Sequence, residues 1–336
     1  MASESTRTVV SLTDRSPSIS AEEIVAHLVP SRQFDGASLE NYRPDPAYPS
    51  QAEAVEAVRT FGGATAPARA GLFRRRASTV AAPGLYLDGG FGVGKTHLLA
   101  ALWHRTPGTK YFGTFIEYTA LVGAVGYQGA IAQLTGASLI CIDEFELDDP
   151  GDTMIMTRLL GELADSGSRM AATSNTPPNA LGEGRFAASD FLREIQALAG
   201  RFRTLRIDGT DYRHRQVEAH AHVTEDLDPA LEAFDGVVSV DDFDQVIEHL
   251  ATIHPSKYVK LLDGIDAVAL RAVAPLHDQT QALRFVAFVD RLYDAQVKVV
   301  ASGTPLDLVF GPEMLAGGYR KKYLRAMSRL VALTLL

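Results

Sequence analysis

Eight residues constrain this chain more than any others: Gly89-Gly90-Phe91-Gly92-Val93-Gly94-Lys95-Thr96. They fit the spacing G-x-x-x-x-G-K-[ST]. An apolar run, Gly84-Leu85-Tyr86-Leu87-Asp88, precedes them, and the sequence predicts a helix from Lys95 to about His104 with Leu98, Leu99 and Leu102. A buried strand, a glycine turn and a helix start create a concave anion site. Successive backbone N–H groups turn inward there, and the positive end of the helix faces the same point. Glycine permits the turn and the close approach of a phosphate. The chemistry of such a loop assigns Lys95 to the β- and γ-phosphates and the Thr96 hydroxyl to Mg²⁺. By composition the pattern arises by chance in about one chain in a hundred of this size. The strand before it and the helix after it reduce that chance further. The expected ligand is a nucleoside triphosphate with Mg²⁺.

Two further apolar runs end in polar residues. Ala137-Ser138-Leu139-Ile140-Cys141-Ile142 runs into Asp143-Glu144, and Arg169-Met170-Ala171-Ala172-Thr173-Ser174 runs into Asn175. Strands without polar alternation, separated by helices, imply a parallel sheet covered on both faces. Asp143 is the expected Mg²⁺ holder, usually through water. Glu144 is the expected group to orient the attacking water. Asn175 reads as a sensor beside the γ-phosphate, in a sheet where the loop's strand neighbours both carboxylate and Asn strands. Cys141 reads as packing rather than redox chemistry. Lys110 to Tyr118 reads as β-rich.

The expected fold class is α/β: a P-loop core with a helix-covered parallel sheet, an N-terminal helical entry segment and an α/β C-terminal region. The expected boundaries are a disordered tail over 1–20, a helical segment and linker over 21–83, the core over 84–215 and the remainder over 216–336. Ser20 caps the first predicted helix, which carries Glu22 and Glu23 in its first turn. The segment from Gly63 to Pro83 is rich in Ala, Gly, Pro and Arg and reads as a flexible connection. In the last third a strand at Ala267–Val273, a helix at Asp278–Asp294 and a strand at Val297–Ser302 form another strand–helix–strand unit.

The formal net charge of the 336 residues is −9, which favours a protein partner over bulk nucleic acid. A single cysteine excludes an internal disulfide and a cysteine-based metal site. No apolar run is long enough to span a membrane, and the Ser/Thr-rich start lacks a secretory core. A cytoplasmic location is expected.

Gly89–Thr96, Cys141-Ile142-Asp143-Glu144-Phe145 and Ala172-Thr173-Ser174-Asn175-Thr176-Pro177-Pro178 together resemble the AAA+ class. Three later stretches are more specific: Asp208-Gly209-Thr210-Asp211-Tyr212-Arg213-His214-Arg215, Arg284 to Asp294, and Arg325-Ala326-Met327-Ser328-Arg329-Leu330. With them the chain resembles the ZapE / AFG-one-like ATPase family from about residue 40 to 330. The resemblance implies an ATPase acting in bacterial cell division on the tubulin-like division protein. It also implies an ATP-dependent homo-oligomer. The family's histidine-rich second strand is Tyr111-Phe112-Gly113-Thr114-Phe115-Ile116 here, without histidines. Its Phe-Leu-Pro is Phe191-Leu192-Arg193, and the arginines before it are missing, so Arg185 is the nearest substitute for an arginine finger. Arg193, Arg201 and Arg203 after the Asn175 strand, and Arg284, Arg325 and Arg329 in the last third, are the other candidates for a finger or lid sensor. Phe34, Leu39, Tyr42 and Gln51 resemble the region before the core in helicase loaders, where an apolar cluster covers the adenine; a hydrophobic clamp of loop onto core reads equally well.

Two other function classes fit parts of the chain. One is a nucleic-acid-associated ATPase of helicase-loader type, supported by Arg74-Arg75-Arg76 and by Arg320, Lys321 and Lys322. The other is a nucleotide-switched scaffold without turnover, which Glu144 argues against.

Overall fold

The structure is a computed structural model that describes residues 7–63, 84–90, 92–145, 150–177, 196–197, 199–210, 220–231, 234 and 236–334. They belong to two compact units, one within Ser20–Tyr212 and one drawn from both chain ends, Met1–Ile19 with Arg213–Leu336. Strand β1 (Arg7–Val10) belongs to the second unit.

In the first unit α1 (Ala21–Ala26) and α2 (Pro49–Gly63) precede the sheet. Ser20 starts α1 with a capping box: its hydroxyl accepts from Glu23 N, and the Glu23 carboxylate accepts from Ser20 N. The sheet holds β2 (Gly84–Gly89), β3 (Lys110–Thr114), β4 (Leu139–Asp143), β5 (Arg169–Ser174) and β6 (Phe202–Ile207). All pairings are parallel, in the order β3-β4-β5-β2-β6. Helix α3 (Lys95–Arg105) follows β2 directly. Leu98, Leu99 and Leu102 share one core with Leu85, Leu87, Cys141 and Ala171 of the sheet. Leu39, Ala54 and Val58 of the entry segment join that core. Across the sheet from that core, Tyr86 meets Phe145 and Phe202 edge to face.

Three expectations are corrected here. The order puts β5 between β2 and β4, so the loop's strand neighbours the Asn175 strand and β6 but not the carboxylate strand. The β-rich reading of Lys110 to Tyr118 holds only to Thr114. There Thr114 and Glu117 form a capping box, and α4 (Phe115–Leu134) begins, kinked at Gly126 with φ 72°. Helix α5 (Pro150–Asp165) leads back to β5.

The third correction concerns the disordered tail expected over 1–20. Residues 7–10 form β1, which pairs in parallel with β7 (Gly236–Asp242), Val9 opposite Val238. The buried Asp241 carboxylate then accepts from Leu12 N at 3.0 Å and from the Ser11 hydroxyl. The segment is ordered by a strand far along the chain, which no local pattern reveals. The linker over 64–83 and the boundary near residue 215 lie outside the described residues.

The second unit continues with β8 (Ala267–Val273) and β9 (Lys298–Gly303), giving the all-parallel order β1-β7-β8-β9. On its chain lie α6 (Leu227–Leu231), α7 (Phe243–Thr252), α8 (Tyr258–Leu261), α9 (Gln279–Ala295), α10 (Pro312–Ala316) and α11 (Arg320–Thr334). Phe243, Phe285, Phe288 and Leu330 pack on one sheet face with Val268 and Leu270. Leu227 and Leu231 cover Val238, Ala269 and Val300 on the other.

Candidate active site

The glycine loop turns where the sequence demands glycine. Gly92 and Gly94 adopt φ of 68° and 83°, the left-handed region that side chains disfavour. A Cβ on Gly89 would sit 2.3 Å from the Ile207 carbonyl of β6, so the loop leaves the sheet against neighbouring backbone. Phe91 lies outside the described residues; Gly90 and Val93 complete the loop between β2 and α3.

Lys95 is buried at the start of α3. Its ammonium donates to the carbonyls of Gly89 and Gly90, at 2.9 and 2.5 Å, and to Asn175 Oδ1 at 2.9 Å. Asn175 reaches it because β5 lies beside β2. The cation is thus held at the loop by two of its carbonyls and by the side chain that ends the neighbouring strand.

Thr96, one residue on, donates its hydroxyl to Asp143 Oδ1 at 3.1 Å. Asp143 ends the buried β4 and is itself buried. Glu144 follows with φ 53°, a left-handed backbone at a non-glycine residue. Its amide donates to the Thr173 hydroxyl at 3.1 Å. Lys95 with Asn175, and Thr96 with Asp143, therefore meet where β2, β4, β5 and the start of α3 converge, and the Glu144 backbone is held beside them at Thr173. A hydroxyl beside a carboxylate is a hard-oxygen donor set of the kind Mg²⁺ takes, with its remaining positions left to water and phosphate. These residues fit that ion.

The entry segment reaches the back of the loop. Tyr42 donates its hydroxyl to the Val93 carbonyl at 2.8 Å, and its ring lies 5.8 Å from that of His97. Gln51 accepts from Asp45 N at 2.8 Å and donates to the Asp208 carbonyl at 2.9 Å. Leu39 is in the core, with Phe34 packed against it. Sequence reasoning missed Thr173 and the pair Asp88–Arg206. The buried Asp88, last before the loop, takes Arg206 Nη1 at 3.0 Å.

Arg185 and Arg193 lie outside the described residues. Arg325 and Arg329 are both committed to Asp290 within the second unit.

The AFG1-like ATPase family matches residues 19–239 and 230–335. This chain belongs to the AFG1-like ATPase family. It is an ATPase with a P-loop, and ATP is the nucleotide the family implies. The cell division protein ZapE of Escherichia coli strain K12 is 28% identical over 305 residues, covering 77% of this chain and 80% of that one. Lactation elevated protein 1 homolog B of Danio rerio is 26% identical over 217 residues, covering 53% of this chain and 43% of that one. The crystal structure of DnaI is 18% identical with a TM-score of 0.41, covering 54% of this chain and 97% of that one. No helix among the described residues is long and apolar enough to cross a membrane.

Proposed function

We propose that this AFG1-like ATPase hydrolyses Mg²⁺-bound ATP at the Gly89–Thr96 loop and uses the cycle to remodel a protein partner in cell division. The observation that carries the chemistry is the convergence of Thr96 and Asp143 at 3.1 Å, beside a lysine held to Asn175. Lys95 offsets charge on the β- and γ-phosphates, and the loop's inward N–H groups bind and orient them. Thr96 and Asp143 are the residues to hold Mg²⁺. That ion neutralises charge on the phosphates when bound. Glu144, next to Asp143, orients the attacking water, and Asn175 links the Lys95 ammonium to β5, so that it registers the γ-phosphate.

The cell-division setting is carried over from ZapE, and the choice of a protein partner is supported by the net charge of −9. A tubulin-type division protein is the partner class the resemblance implies, with a cytoplasmic location and an ATP-dependent homo-oligomer. Lys95→Ala should lose ATP binding, and Glu144→Gln should bind ATP and turn it over poorly. Full hydrolysis by both variants overturns the site. Co-purification with Glu144→Gln and ATP identifies the partner; recovery of single-stranded DNA alone overturns the protein-partner reading.

A further inference from the structure

We infer that Thr173 is a positioning residue for hydrolysis, setting the Asp143 carboxylate and the Glu144 backbone together. The inference rests on the roles proposed above for those two acids. The ladder between β4 and β5 ends at Ile142 opposite Ala172. Beyond it, one residue of β5 bonds the chain that carries both acids, while on the other side β3 pairs as far as Thr114 opposite Asp143. The Thr173 hydroxyl donates to Asp143 Oδ1 at 2.5 Å and accepts from Glu144 N at 3.1 Å. The Thr173 carbonyl accepts from Phe145 N at 2.7 Å. Three consecutive residues thus bond to one threonine that is 2% exposed.

The arrangement needs a hydroxyl, which alone among small side chains both donates to a carboxylate and accepts from an amide. It also explains how Glu144 keeps φ 53°. A non-glycine residue persists in the left-handed region only where its surroundings over-determine it. Thr173 fixes the amide on one side. On the other, Phe145 is anchored by the rings of Tyr86 and Phe115, at 6.3 and 5.7 Å. Thr96 donates to the same Oδ1 from α3, so Asp143 is aimed from two elements at once.

Loss of the hydroxyl therefore acts on aim rather than on phosphate binding, which belongs to the loop and Lys95. Thr173→Val keeps the shape and removes the hydroxyl. It should lower kcat for ATP about 10- to 100-fold, the scale of a small misplacement of a reacting group. The affinity for ATP should stay within about twofold of wild type, and the Mg²⁺ concentration for half-maximal rate should rise several-fold, on the order of one lost hydrogen bond. Thr173→Ser should restore kcat to within about threefold of wild type, because it restores both hydrogen bonds. Should the valine variant not fold, Thr173→Ala carries the same measurements. Wild-type kcat and Mg²⁺ dependence without the hydroxyl overturn the inference, as does equal impairment of the serine variant. Glu144→Gln is assayed alongside. If it hydrolyses normally, the site reading has failed; if it is inactive while the hydroxyl-free variant is normal, only the role of Thr173 has failed.

Discussion

The Tyr42 hydroxyl donates to the Val93 carbonyl at 2.8 Å, and its ring fills the space beside Gly94, where a Cβ would lie 2.5 Å from Cε2. A loop that turns its N–H groups inward turns carbonyls outward, and buried carbonyls need donors. Val93 is buried. Burial pushes the Tyr42 hydroxyl up to about 12, so it stays protonated and remains a donor across the neutral range. A residue of the entry segment therefore braces the phosphate loop from behind.

Tyr42→Phe should weaken ATP binding about tenfold, since an unsatisfied buried carbonyl costs about 1–3 kcal/mol. Inorganic tripolyphosphate should lose affinity by the same factor, because a brace acts on phosphate binding whatever the base. Calorimetry with both ligands checks this. A loss confined to ATP would show instead that Tyr42 covers the adenine.

Gly94→Ala should be harsher. The φ of 83° costs a side chain about 1–2 kcal/mol, and the Cβ meets a ring that has no flexible end to yield. ATP binding should fall below detection with a lower Tm. Adding Tyr42→Ala should recover part of the Tm, the ring contact being removed, while the backbone cost stays. Thermal melts of the two single variants and the double variant decide it; strict additivity rejects the contact.

Asp88 and Arg206 sit opposite each other on β2 and β6, and the carboxylate is 3% exposed where the guanidinium is 63% exposed. Their value is asymmetric. Arg206→Met leaves the acid buried without its cation and should destabilise the first unit by about 2 kcal/mol. Replacing Asp88 as well, by Leu, should recover most of that loss. Urea unfolding of the set tests it, and equal stability of Arg206→Met and wild type would refute it.

The loop was legible because phosphate chemistry fixes residue type and spacing together, within one stretch of chain. Asp143 and Asn175 were legible because each ends an all-apolar run, so their place at strand ends followed from the strands. Thr173 was not. Within a strand it is one more β-branched residue, and its bonds exist only because β5 lies beside β4. The order of the sheet was hidden for the same reason, since local patterns do not say which strand inserts between two others. Helix α4 was legible in principle: Thr114 and Glu117 stand at capping-box spacing, but the β-branched and aromatic run before them has the composition of a longer strand. Strand β1 had the least signal, four residues whose partner, Gly236–Asp242, lies far along the chain.

That long-range pairing has a consequence for truncation. Deleting residues 1–12 removes the strand beside β7 and leaves the buried Asp241 carboxylate without Leu12 N and Ser11. The second unit should lose stability, and the amides of β7 should exchange faster, while the ATP affinity of the loop is unchanged. Hydrogen exchange with a nucleotide titration checks both halves. Unaltered exchange at Gly236–Asp242 would mean that β1 contributes nothing to the sheet.

Asp290 ties α9 to α11 by accepting from Arg325 Nη2 at 2.8 Å and from Arg329, whose guanidinium also lies over the Tyr293 ring. Burial alone would push this carboxyl up, but Arg325, Arg329 and Arg291 together overcome that and hold it below its ordinary value. A depressed folded value means that the carboxylate stabilises the fold fully above the unfolded value of about 3.9. The contribution fades as pH falls through the lower folded value. Asp290→Asn should therefore cost about 3 kcal/mol at pH 7, the penalty for breaking a buried ion pair. The gap to wild type should hold down to about pH 4 and narrow below it, as the wild-type carboxylate takes up its proton. Unfolding by urea at a series of pH values measures the gap directly. A gap that is constant into the acid range would place its origin in packing rather than charge, and the two arginines, close in sequence on α11, would then be held by shape alone.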